Sequence, residues 1–224
     1  MKRIIPVLAV AALLVTGCGA DKNKISEKKF DEEIGQYGFI LNRNAKYEGS
    51  AVLFGQNATM TVEASSDGTN IAYCTRFVVD GVAGAMESYL IGKFENERIS
   101  GTWYHTENTA SSTWSVDTTP EGGITLEEFG PTLVESSYFV AFNYKELEYN
   151  SKEKAYQAKR IDKAVDMGGP DGTLAIIFRD VSLKFEKNEM IAWSYEMTSM
   201  GQPIQIDMER TVVGGIEVVA PTIS

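Results

Sequence analysis

His105 is the one histidine of the chain, so any chemistry that needs an imidazole must pass through it. Multi-histidine metal sites are thereby excluded, and a Ser/His/Asp or Cys/His relay would rest on a residue in TWYHTEN, at a predicted strand end. With Glu107 close by in sequence, a hydrogen-bonded surface pair is the simpler expectation for it. The cysteines are Cys18 and Cys74. Cys74 lies in the apolar run NIAYCTRFVV with no histidine nearby, which points to a buried, inert thiol; a reactive one would need Arg76 on the same open side. Carboxylate pairs such as Glu127 with Glu128, or Glu146 with Glu148, are unavoidable in an acidic chain. Glycosidase chemistry requires two carboxylates about 5 to 10 Å apart across a cleft, and adjacency does not supply that. There is no GxSxG elbow, Walker A loop or GxGxxG fingerprint, and the run Gly168, Gly169, Pro170, Asp171, Gly172 reads as a turn. The expectation is a protein that is not an enzyme, with no catalytic, cofactor-binding or metal residues.

The remaining reactive group, Cys18, has a more specific context. The opening MKRIIPVLAVAALLVTGCGA places basic residues first, then an apolar run from Ile4 to Val15, then small residues before the cysteine, which is the layout of a secretory signal. That run is shorter than the roughly 20 residues needed to span a bilayer as a helix, and it contains Pro6. Val15, Thr16, Gly17 and Cys18 resemble the lipobox of bacterial lipoproteins; the bland alternative is an ordinary signal that ends beside a cysteine. The resemblance implies that residues 1 to 17 are a signal peptide, that Cys18 carries a thioether-linked diacylglycerol, and that residues 18 to 25 are an acylated tether. Two or three acyl chains, at ~0.8 kcal/mol per buried methylene, hold a protein that one chain would not. The implied location is extracytoplasmic, lipid-anchored to the cell membrane or the outer membrane; Gly19 in place of aspartate after the cysteine would not, by resemblance to enterobacterial sorting, retain it in the inner membrane.

Charge narrows the partners. Loss of Lys2 and Arg3 leaves 19 of the 21 basic residues against 31 acidic ones, a net charge of −12. Nucleic acid is an unsuitable partner for such a surface, because phosphate backbones are bound through concentrated Lys and Arg. The exception lies beside the anchor, where Lys22, Lys24, Lys28 and Lys29 outnumber Asp21 and Glu27; this segment either lies against anionic lipid or is a solvated tether. With Cys18 acylated, Cys74 has no disulfide partner, so the fold must be held by its core.

The elements that must position these residues are mainly strands. Ser26 is placed to cap a first helix with Phe30, Ile34, Tyr37 and Leu41 at helical spacing, ending before Asn42. From Tyr47 the pattern alternates through YEGSAVLF, ATMTVEAS, NIAYCTRFVV, AMESYLIGKF, RISGTWYHT and STWSVD, with short connections that suit an antiparallel meander. A short apolar helix interrupts it, starting either at Thr125, with Glu128 completing a capping box, or at Pro131. VAFNYKELEYN and KAYQAKRID follow as strands. In the final third, Val181, Leu183 and Phe185 share one face; Ile191, Trp193, Tyr195 and Met197 share another, as do Ile204, Ile206 and Met208. Residues 26 to 224 thus read as one domain.

Taken in order, the tethered N-terminal helix, the meander, GTWYHTEN, FNYKELEYNSKEKAYQAKRI and DVSLKFEKNEMIAWSYEM running into IEVVAP resemble the LolA-like superfamily of extracytoplasmic proteins, which includes lipoprotein carriers and mycobacterial lipoproteins of the LppX and LprG type. The resemblance implies a strongly curved antiparallel sheet, an open half-barrel with a few helices on its concave side, that binds a lipid or other hydrophobic ligand there. The residues placed to line such a site are Leu183, Phe185, Ile191, Trp193, Tyr195, Met197, Ile206 and Met208. Alternating aromatics and methionines fill an ordinary core equally well. The rival expectation is therefore a non-enzymatic sensor or interaction module with a filled core, contacting another envelope protein.

Overall fold

The computed structural model describes residues 21–34, 43–53, 55–125, 142–166, 173–199 and 201–223. Among the described residues, twelve strands form one antiparallel sheet: β1 Asn44–Leu53, β2 Gln56–Ser65, β3 Asn70–Val79, β4 Met86–Glu95, β5 Arg98–Thr106, β6 Ser115–Thr118, β7 Ile124–Thr125, β8 Glu148–Asn150, β9 Ala155–Asp166, β10 Thr173–Glu186, β11 Glu189–Ser199 and β12 Gln202–Val213. Their order is β6-β5-β4-β3-β2-β1-β12-β11-β10-β9-β8, with β7 also on β5. Two meanders are thus joined where the first strand meets the last, and the sheet is not closed into a barrel. The two-residue hairpins Asn96-Glu97 and Lys187-Asn188 have positive φ at both positions, the geometry that matches the twist of the flanking strands.

One face of the sheet carries the core. Met60, Val62 and Ala64 of β2, Ile71, Tyr73 and Phe77 of β3, and Ile204, Ile206 and Met208 of β12 are buried while their neighbours along each strand are more exposed, Cys74 beside Tyr73 excepted. At the centre, Gly49 of β1 has no room for a side chain, since a Cβ there would lie 1.9 Å from the Asp207 carbonyl oxygen. Such close backbone approach is a usual reason for a glycine inside a strand.

The helix α1 (Glu27–Ile34) covers part of this face. The Ser26 hydroxyl accepts the Lys29 N–H at 3.3 Å, the cap expected at its start. Phe30 and Ile34, one turn apart, are fully buried. The Phe30 ring lies 5.5 to 5.6 Å from those of Tyr144, Tyr156 and Phe185, a burial that stabilises the fold by about 1.5 to 3 kcal/mol. The continuation through Tyr37 and Leu41 lies outside the described residues.

One sequence expectation changes. The segment VAFNYKELEYN is not one strand: Tyr144–Glu146 form a 3-10 turn, and only Glu148–Asn150 pair in β8. Glu146 accepts the Asn143 N–H at 2.8 Å and binds the Lys163 ammonium at 2.6 Å, and these contacts fix the turn against β9. Ile124 and Thr125 form β7 beside Arg98 and Ile99; a helix starting at Thr125 or Pro131 lies outside the described residues. IEVVAP is an extended tail, bonded at its start through Asn44 to Ile216 at 3.0 Å.

Candidate functional site

The candidate ligand face is built by β10, β11 and β12. Their phase is set by two irregularities. At Asp180, with φ of 48°, β10 gains a residue relative to β11, so Ile176 and Phe178 face the core before it and Val181, Leu183 and Phe185 after it. A second irregularity pairs Phe185 with Met190 and Leu183 with Trp193. Ile191 is therefore half-buried off the ladder, and Met190, fully buried, occupies the core position beside Phe185.

The other seven candidates, Leu183, Phe185, Trp193, Tyr195, Met197, Ile206 and Met208, come together on one face and are 0 to 3% exposed. Three of them pack against rings of the same core. Trp193 lies 4.8 Å from Tyr47, Phe185 packs on Phe30 and Tyr156, and Tyr195 packs on Phe142 and Phe178. A side chain lining a void able to hold a water molecule would present surface to that void, and these present almost none. At the other end of the face, Met86, Phe94, Trp103 and Ile124 are only partly buried.

Tyr47 and Glu33 are polar groups held in this core with their partners. The Tyr47 hydroxyl donates to the Met190 carbonyl at 2.9 Å, and burial pushes its pKa up to about 12. Glu33 accepts the Met190 N–H at 2.6 Å and pairs with the Arg43 guanidinium, which is 5% exposed. These bonds join α1, the start of β1 and the start of β11.

The segment expected to be a solvated or lipid-lying tether is docked onto the sheet from Asp21 to Ile25. The Asn23 side-chain amide donates to the Phe185 carbonyl at 2.8 Å, and the Tyr149 hydroxyl donates to Asp21 in a short hydrogen bond. The Tyr149 hydroxyl lowers the pKa of Asp21, while burial and then Asp21 raise that of Tyr149 to about 12. Ile25 is buried against Tyr156.

The other reactive groups are placed apart from this face. His105 is exposed in β5. Cys74 is buried on the opposite face, opposite Tyr89 of β4, and burial pushes its thiol up to about 12. Tyr89 donates to Glu87 at 2.9 Å, Glu87 pairs with Arg76 at 3.1 Å, and the Trp114 ring covers Tyr89 at 5.8 Å. Burial first, and the neighbouring thiol second, raise the Tyr89 pKa. Among the described residues no group of three His, Cys, Asp or Glu side chains could hold a metal ion, and no helix is long and apolar enough to cross a membrane.

Two clefts lined by described residues are open to solvent, and only the smaller is mainly polar. One of about 910 Å3, about equally polar and apolar, runs past Glu148, Tyr149, Gln157, Ala158 and Arg160; another of about 310 Å3 is lined by Ser50, Ser194, Tyr195, Ile206 and Asp207. Comparison with protein-family models, with curated proteins and with solved structures finds no match.

Proposed function

We propose that this is an extracytoplasmic protein, held to a membrane by lipid on Cys18, whose sheet domain acts by non-covalent contact with another envelope component rather than by catalysis. The observation that carries the filled-core reading is the closure of Leu183, Phe185, Trp193, Tyr195, Met197, Ile206 and Met208, all at 3% exposure or less. A ligand pocket of the usual size, about 300 to 1,000 Å3, would leave its wall accessible. The single open sheet with a helix on its apolar face agrees with the LolA-like resemblance in outline, and the half-barrel with helices on a concave side remains part of this proposal. The chain signal and the lipobox-like Val15 to Cys18 support the anchor.

A second reading, binding of a lipid or other hydrophobic ligand, is favoured by the partly exposed Met86, Phe94, Trp103 and Ile124 at the β4–β5 end of the face. Native mass spectrometry of the chain purified without its anchor separates the two. The filled-core reading expects the bare polypeptide mass; a co-purified lipid mass would replace it with the ligand reading. The anchor is tested separately by labelling with an alkyne fatty acid. Cys18→Ser should abolish the label, and undiminished label would refute lipidation at Cys18.

A further inference from the structure

We propose that the docked tether fixes the domain's orientation, turning the β8–β9 and β10–β11 turns onto an anionic membrane surface; this rests on the proposal that Cys18 carries the lipid. The first described residue, Asp21, is three residues beyond Cys18, at most about 11 Å of extended chain. It is already bound to Tyr149, and the next contacts are Asn23 to Phe185 and Ile25 to Tyr156. The backbone from Asp21 to Lys24 is closed by a 2.9 Å bond, so the segment has little slack.

These contacts lie at one end of the sheet. Tyr149 leads into the turn Ser151 to Lys154, and Phe185 leads into the turn at Lys187 and Asn188. The pairing of Ala155 with Lys184 sets the two turns side by side. An acyl group three residues from Asp21 must therefore bring both turns to the headgroup layer.

The charge at that end fits such a surface. Lys24, Lys152, Lys154 and Lys187 gather there against Asp21 and Glu153, while Lys22 is paired with Glu186 at 3.4 Å and Glu189 with Arg210 at 2.6 Å. Lys154 and Lys24 are close enough to act electrostatically on Asp21, and the Lys24 ammonium lies 5.8 Å from the centre of the Tyr149 ring. In a chain with a formal net charge of −10 this is a locally basic rim. Lysines within a Debye length of about 8 Å of phosphate headgroups are attracted to them, and the acidic remainder of the domain is repelled. Attraction and repulsion thus favour the same orientation.

The test uses the lipidated full chain in vesicles of phosphatidylcholine and phosphatidylglycerol that carry a headgroup spin-label quencher. A fluorophore is attached at Lys154→Cys, at Lys187→Cys or at Val82→Cys in the distant β3–β4 loop. Cys74, buried with its thiol raised to about 12, does not compete for the label. The expected result is quenching at 154 and 187 and none at 82, with a smaller effect at both near sites when phosphatidylglycerol is left out. The paired change Asn23→Ala with Tyr149→Phe should undock the tether and remove the difference between sites. Vesicle-bound protein with equal quenching at all three positions overturns the orientation and leaves the anchor standing, and quenching that does not depend on phosphatidylglycerol overturns its electrostatic basis. Failure of the chain to float with vesicles overturns the anchor itself.

Discussion

The Tyr156 hydroxyl closes on both polar groups of a single residue, accepting the Ile25 N–H at 2.9 Å and donating to the Ile25 carbonyl at 2.7 Å. Both bonds are buried. Tyr156→Phe keeps the ring contacts with Phe30 and Phe185 and removes only the oxygen. It leaves a buried donor and a buried acceptor without that partner, a loss of about 1 to 3 kcal/mol by denaturant unfolding. Hydrogen exchange at Ile25 should rise by more than the global change accounts for.

Glu33 holds together three parts of the chain, α1, Arg43 and the Met190 backbone. Glu33→Ala takes the carboxylate from a guanidinium that is almost wholly buried. Removal of one partner of such a pair costs about 3 to 5 kcal/mol, and a Glu33→Ala, Arg43→Met double variant should recover part of it. Urea unfolding of the two variants gives the comparison.

The sequence made some of this legible and not the rest. Alternation in Trp193, Tyr195 and Met197 showed which residues share a face, because a strand's period of two is local. The same reasoning misplaced Ile191, since one extra residue near Phe185 shifts the phase and nothing in the alternation marks it. It also read Tyr144 to Glu146 as strand, although Glu146 binding Asn143 and Lys163 closes a turn there. Docking of the tether depends on Tyr149, Tyr156 and Phe185, more than 120 residues away, and composition near Asp21 reveals no such partner. Cys74 was expected to be buried and is, although on the face opposite the main core.

Alkaline pH should weaken the fold through the buried phenols. Tyr47 has an ordinary pKa of 10.0 and a folded value of about 12, so its ionisation favours the unfolded chain. Its contribution is complete below pH 10 and is lost as pH rises from 10 through 12, a loss on the order of 2 to 3 kcal/mol for a shift of this size. Tyr156, also raised to about 12, adds in the same direction. Unfolding free energies measured from pH 8 to about 12 should fall along this course, and Tyr47→Phe should flatten the fall.

Trp193 tests the filled core most directly, since it is 2% exposed, stands 4.8 Å from Tyr47 and is paired across the strands with Leu183 and Met208. The measurement is the unfolding free energy of Trp193→Ala against the parent chain. A close-packed core predicts a loss of about 3 to 5 kcal/mol, because transfer energy and the cavity left behind add together. A loss below about 1 kcal/mol would contradict the account: it would mean that Trp193 borders a space the fold does not fill, as the wall of a ligand cavity does.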